Sequence, residues 1–199
     1  MKNLALQLLT LLYPVTCRHC LQPLENPLMF LCSSCQSHLL LCLESDSSHV
    51  YCFEQGSSAA ALVQEAKKKQ NRRLEKYIAA WMSFRLLQEK KEFPDLLIPA
   101  ICSDIPYKSE LNVSLAKQLA AYSKIPILEV FRFVLDPKVY GEEGAFLGKL
   151  AFRKRYEQNT FEGKKIGIVS ADGTTPLPYA NLLTQARSVV AISFLQPLA

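Results

Sequence analysis

Neither Gly-x-x-x-x-Gly-Lys nor Gly-x-Gly-x-x-Gly occurs anywhere in this 199-residue chain, so a P-loop and a dinucleotide fingerprint are both excluded. Internal repeats and low-complexity tracts are also absent. The apolar run from Leu4 to Val15 is far too short to span a bilayer. As an export signal it fails as well. Gln7 and Thr10 interrupt it, Pro14 follows it, and no Ala-x-Ala cleavage site precedes Cys17. Leu4, Leu8, Leu11 and Leu12 instead share one helical stripe, so Lys2 to Leu12 reads as a helix packing on the module that follows. What remains is a globular chain, 49% hydrophobic and 21% charged, large enough for one domain and a small module.

Cys17, Cys20, Cys32 and Cys35 form two Cys-x-x-Cys pairs. Each pair makes a tight knuckle whose sulfurs converge, and the stretch between them can form a short hairpin. Four thiolates so placed suit one tetrahedral Zn²⁺, and a Cys₄ shell with no open position is structural rather than catalytic. The competing assignment is two disulfides in an exported protein; the poor export signal favours zinc in a reducing cytoplasm. Cys42, His49 and Cys52 are a conceivable second metal set, but their spacing fits no compact knuckle, and isolated Cys and His residues are more often simply packed or solvated. Cys102, at the end of an apolar run, reads as a small buried residue.

The net charge of +5 is unevenly spread. Residues 1–60 carry −2, and the remainder holds the basic excess in two clusters. One is Lys67, Lys68, Lys69, Arg72, Arg73 and Lys76; the other is Lys149, Arg153, Lys154 and Arg155. Together they could line a nucleic-acid strand or another phosphate-rich ligand. Taken singly, each is equally a solvated helix face.

Beyond the cysteines, helix and strand patterns alternate. Ser57 to Gln70, Arg72 to Glu89 and Ser109 to Ser123 have helical periodicity. Asp95 to Ile101, Lys165 to Ser170 and Ser188 to Phe194 are short apolar runs suited to buried strands. Ile125 to Leu135 holds a further apolar run, and Ala145 to Tyr156 is amphipathic and strongly basic. Strands separated by helices imply right-handed parallel crossovers, hence a doubly wound α/β sheet. The expected organisation is a helix and metal module over residues 1–55 and an α/β domain over residues 56–199. Ligands of such sheets bind beyond the carboxyl ends of the strands. The segment Val169-Ser170-Ala171-Asp172-Gly173-Thr174-Thr175-Pro176 lies at such an end, where N–H groups and hydroxyls can meet a phosphate.

The order of a Cys₄ knuckle, a basic helix, an apolar strand ending in Pro, a helix and a late Thr-Thr loop resembles the ComF family over nearly the whole chain. Leu12-Tyr13-Pro14 ahead of Cys17 looks like that family's opening, and Ile98-Pro99 like its Val-Pro strand end. Asn112 stands where the family has Arg-Gly-Phe-Asn-Gln, and Arg155, Asn159 and Phe161 match its Arg, Asn and Phe ahead of the last strands. The resemblance implies a phosphoribosyltransferase-like domain behind a zinc module, working in DNA uptake during bacterial competence.

The same comparison exposes departures. In the family the late loop resembles Val-Asp-Asp-Val-x-Thr-Thr-Gly-x-Thr, with two carboxylates for the ribose hydroxyls of phosphoribosyl pyrophosphate. Here Ser170 and Ala171 replace both acids. Thr174 and Thr175 survive, but Pro176 and Pro178 replace the Gly and last Thr, removing N–H donors from the phosphate cradle. The degenerate loop Asp172, Gly173, Thr174 and Thr175 therefore implies weak ligand binding and a pseudoenzyme. Three readings follow. The first is a non-catalytic ComF-type protein holding single-stranded DNA or uptake partners through Lys67, Lys68, Lys69, Arg72, Arg73, Arg153, Lys154 and Arg155. The second is an active phosphoribosyltransferase using Asp172, the Thr turn and Mg²⁺. The third is a zinc-ribbon adaptor on an inert scaffold.

Overall fold

The computed structural model describes residues 15–24, 26, 29–42, 48–69, 71–89, 93–101, 106–140, 146–152, 158–173, 179 and 181–196. The helix expected over Lys2 to Leu12, Cys102, the Arg153–Arg155 cluster, and Thr174, Thr175, Pro176 and Pro178 lie outside the described residues. So do the side chains of Lys69, Lys149, Phe152 and Asn159.

A short helix α1 (Ser33–Ser37) precedes strand β1 (His49–Phe53) and helices α2 (Ser57–Lys69) and α3 (Arg72–Gln88). Strand β2 (Leu96–Pro99) leads into α4 (Pro106–Ser123), then β3 (Phe131–Tyr140), β4 (Phe146–Phe152), β5 (Lys165–Ser170) and β6 (Ser188–Leu195). Asn71 starts α3 by accepting the N–H groups of Arg73 and Leu74 at 3.2 and 3.3 Å. Helix α4 begins three residues earlier than its periodicity suggests, at Pro106. A proline is tolerated there because a first-turn N–H has no helical partner to lose.

Four strands form a parallel sheet in the order β1-β6-β5-β2, and Ile127 extends it with a parallel bridge to Leu97. This is the α/β architecture expected. Its central strands are continuous apolar runs because both faces are covered. Leu97, Val169, Ile192 and Phe194 meet the helical layer of α2, α3 and α4. Leu96, Ile98, Ile166 and Ile168 pack on the opposite side against Phe131, Phe161, Tyr179 and Leu183. Gly167 leaves room for side chains of its two flanking strands: a Cβ there would meet Ile192 Cδ1 at 2.8 Å and Leu97 Cδ2 at 2.9 Å.

Two segments depart from the alternating pattern. Strand β1 lies within residues 1–55, yet it pairs in parallel with β6 as an edge of the sheet. The basic segment around Lys149 is strand β4, paired antiparallel with β3 in a separate two-stranded ribbon. No described helix is long and apolar enough to cross a membrane.

Candidate functional site

The metal module is assembled from two knuckles. Leu21 N–H donates to Cys17 O at 3.0 Å, with Leu21 itself in a left-handed conformation (φ 64°), and Cys17 N–H donates to Gln22 O at 2.8 Å. That fold-back brings Cys17 and Cys20 together. In the second knuckle Cys32 caps α1, its Sγ accepting the N–H of Cys35 at 3.5 Å. Arg18 N–H donates to Phe30 O at 2.9 Å and ties the two halves. The four sulfurs lie within 4.8 Å of one another, and Cys20 Sγ is 3.6 Å from Cys32 Sγ. A tetrahedron with metal–sulfur bonds of about 2.3 Å has edges of about 3.8 Å, so the donor set fits a thiolate-bound ion such as zinc.

The electrostatics point the same way. Burial works against ionisation of Cys17, but N–H groups of Cys20, Cys32 and His19 directed at its sulfur hold the thiol down at about 6. Cys35 is pushed up to about 12, by burial first and then by the sulfurs of Cys32, Cys20 and Cys17. Four converging thiols cannot all ionise unaided; a divalent cation supplies the missing charge. His19 Nδ1 lies 3.2 Å from Cys35 Sγ, where an N–H would support a bound thiolate from outside the ligand set. None of the six described cysteines is in a disulfide.

The second candidate lies at the switch in strand order between β2 and β5, where the carboxyl ends of two neighbouring strands meet, the place at which sheets of this kind bind ligands. Asn112, buried on α4, stitches the two ends together. Its Nδ2 donates to Ala100 O and its Oδ1 accepts the N–H of Ala171, each at 3.0 Å. The Tyr179 hydroxyl accepts the N–H of Ile101 at 2.9 Å and donates to Ile101 O at 3.2 Å. Ser170 faces inward, its Oγ 2.8 Å from Ser193 Oγ, and Ala171 is fully buried. Asp172 alone of these stands at the rim, and its Oδ2 receives Lys67 Nζ at 2.6 Å. The paired side chains are 28% and 17% exposed. Gly173, at φ 70°, turns the chain through a conformation that favours glycine.

No family model and no curated protein sequence matches this chain. Among solved structures it is similar to a purine phosphoribosyltransferase from Pyrococcus horikoshii Ot3, at 14% identity and TM-score 0.36, over 72% of this chain and 74% of that one. It is also similar to a hypothetical protein from Neisseria gonorrhoeae with bound ppGpp, at 10% identity and TM-score 0.37, over 76% and 89% of the two chains.

The basic positions divide. Lys67 is tied to the end of β5 through Asp172. The Arg73 guanidinium lies 5.3 Å above the Phe30 ring, facing the metal module. Lys68, Arg72 and Lys76 are exposed on α2 and α3. Cys42, His49 and Cys52 do not converge. Cys42 Sγ donates to Gln196 Oε1 at 3.4 Å, His49 stacks on Tyr51, and burial pushes the Cys52 thiol up. Among the described residues the quartet is the single group of three or more metal donors. The Lys67–Asp172 pair and the Tyr179 clasp carry no local signal in the sequence. His19 does: its place between Cys17 and Cys20 puts it beside the sulfurs they contribute.

Proposed function

We propose that this is a non-catalytic ComF-type protein with a phosphoribosyltransferase-like domain, stapled by one structural Zn²⁺, that holds single-stranded DNA in DNA uptake. The observation that carries the reading is the set of side chains at the carboxyl end of β5. A ribose diol needs free carboxylate acceptors. Ser170 and Ala171 offer none, and Asp172 already accepts a charge-assisted hydrogen bond from Lys67 at 2.6 Å. Each such bond lost to a ligand weakens it by about 1.5–3 kcal/mol. These strand ends therefore lack the acceptors a ribose diol needs, and the one nearby carboxylate is engaged by Lys67.

The division into residues 1–55 and 56–199 belongs to the same proposal, with β1 lending the sheet an edge from the module's side. Binding is assigned to the exposed Lys68, Arg72 and Lys76, together with the basic residues around Arg153. Anisotropy of a labelled oligothymidylate, measured against salt, tests this. Affinity should fall with a slope of about −0.7 per phosphate neutralised, and replacing Lys68, Arg72 and Lys76 together by Ala should weaken binding and flatten the slope. Absence of binding at low salt would remove the DNA reading. The zinc-ribbon adaptor would then gain, favoured by Leu21, which stands 71% exposed at the tip of the first knuckle.

A further inference from the structure

Every described carboxylate on helices α2 and α3 is turned back onto the protein. Glu65 pairs with Arg18 at 3.3 Å, and Glu75 is buried, accepting the Ser114 hydroxyl. Glu89, just past the end of α3, pairs with Arg85 at 2.7 Å. The outward face of α3 is left with cations toward its start and aromatic rings toward its end. Arg72, Lys76, Ala80 and Phe84 are all exposed and follow one another at i+4, so they form one ridge with a step of about 6 Å. Along the second half of that ridge, Tyr77, Ala80, Trp81 and Phe84 line a hollow of about 260 Å³. The Trp81 ring stands 6.5 Å from Tyr77 and 5.8 Å from Phe84, at 75° and 85°, so the rings wall the hollow instead of stacking on one another. Two of them are held from behind. Trp81 meets Phe53 edge-on at 5.2 Å, and Tyr77 meets Phe30 of the metal module at 5.4 Å.

We propose that this hollow seats one base of a single-stranded DNA whose phosphates Arg72 and Lys76 hold. The base site rests on the DNA binding proposed above and gives that strand a contact beyond its phosphates. An apolar hollow alone would suit a nucleobase and the apolar face of a protein helix equally. Charge favours the base: Lys76 and Arg72 stand one and two turns before Ala80 on the same ridge, matching a polymer that carries one anion for every base. Size agrees as well. Sites for drug-sized ligands begin at about 300 Å³, so a slightly smaller hollow suits a single planar ring system. Rings already fixed by Phe53 and Phe30 lose little freedom on binding, so stacking adds to affinity. Every base has a π-face, which makes the contact tolerant of sequence. It also releases no counterions, so salt leaves it unchanged while weakening the phosphate contacts.

Trp81 is the single tryptophan of the chain, so its emission reports the hollow directly in the intact protein. The probes are an oligothymidylate of about twelve nucleotides and an abasic strand with the same number of phosphates. At low salt both should bind, the oligothymidylate about tenfold tighter, and it alone should quench Trp81. Phe84→Ala and Ala80→Leu, both at exposed positions, should remove most of that tenfold difference and leave the salt slope unchanged. Lys76→Ala should do the reverse, flattening the slope and keeping the preference for bases. Equal affinity for the two strands, with Trp81 unquenched, overturns the base site and leaves the phosphate contacts standing. A tenfold preference retained in both Phe84→Ala and Ala80→Leu overturns it too, and assigns the hollow to the apolar face of a protein helix. Failure of both strands to bind at low salt removes the DNA reading itself, and the base site with it.

Discussion

Replacing Asn112 by Ala should destabilise the protein far more than its small side chain suggests. Asn112 is buried, and its amide satisfies two backbone groups that water cannot reach: Ala100 O at the end of β2 and Ala171 N–H at the end of β5. Each buried polar group left without a partner costs about 1–3 kcal/mol, so the pair together costs about 2–6 kcal/mol. Against a total stability of about 5–15 kcal/mol this is a large fraction. Urea unfolding followed by Trp81 emission measures it as a lowered midpoint with unchanged slope. Asn112→Asp sharpens the test. It keeps the acceptor for Ala171 N–H but faces Ala100 O with an anion at neutral pH. Burial raises the pKa of that carboxyl, so the folded state binds its proton more readily than the unfolded chain does. Stability of the Asp variant should therefore recover relative to wild type as pH falls and the acid becomes a donor to Ala100 O. A loss below about 1 kcal/mol for Asn112→Ala would refute the account of the strand ends.

Two further outcomes follow from the local geometry. Freshly purified protein should contain one Zn²⁺ per chain by elemental analysis; chelation should raise hydrogen exchange across residues 15–42 while the β5 and β6 amides stay protected, and uniform loss of protection would contradict a separate metal-stapled module. Asn71→Ala should cost about 1 kcal/mol in the same urea assay, because two first-turn N–H groups of α3 lose their acceptor, and Asn71→Asp should cost almost nothing.

The metal quartet was legible because its information is local: four ligands in two short spacings define the geometry without the rest of the fold. Strands β2, β5 and β6 were equally legible, since strands covered on both faces need uninterrupted apolar runs and little else in the chain supplies them. Strand β1 was not. Its five residues begin at His49 among serines and cysteines, and its burial comes from β6, about 140 residues further along. The ribbon strand around Lys149 was obscured because a short basic amphipathic segment satisfies helix and strand periods alike. That Ser170 and Ala171 offer no carboxylate could be read directly, but the fate of Asp172 could not. Its partner Lys67 is 105 positions away, in a basic cluster that reads as one solvated surface. Tertiary pairing divided that cluster, drawing Lys67 onto Asp172 and leaving Lys68, Arg72 and Lys76 exposed.

The central claim of the proposal is that the ends of β2 and β5 do not bind phosphoribosyl pyrophosphate. Calorimetric titration of the intact protein with phosphoribosyl pyrophosphate and Mg²⁺ tests it most directly. The account predicts no saturable heat up to millimolar ligand and no consumption of the ligand over hours. Micromolar binding that disappears in Asp172→Asn would contradict it, because Asp172 would then be serving a ligand in place of Lys67.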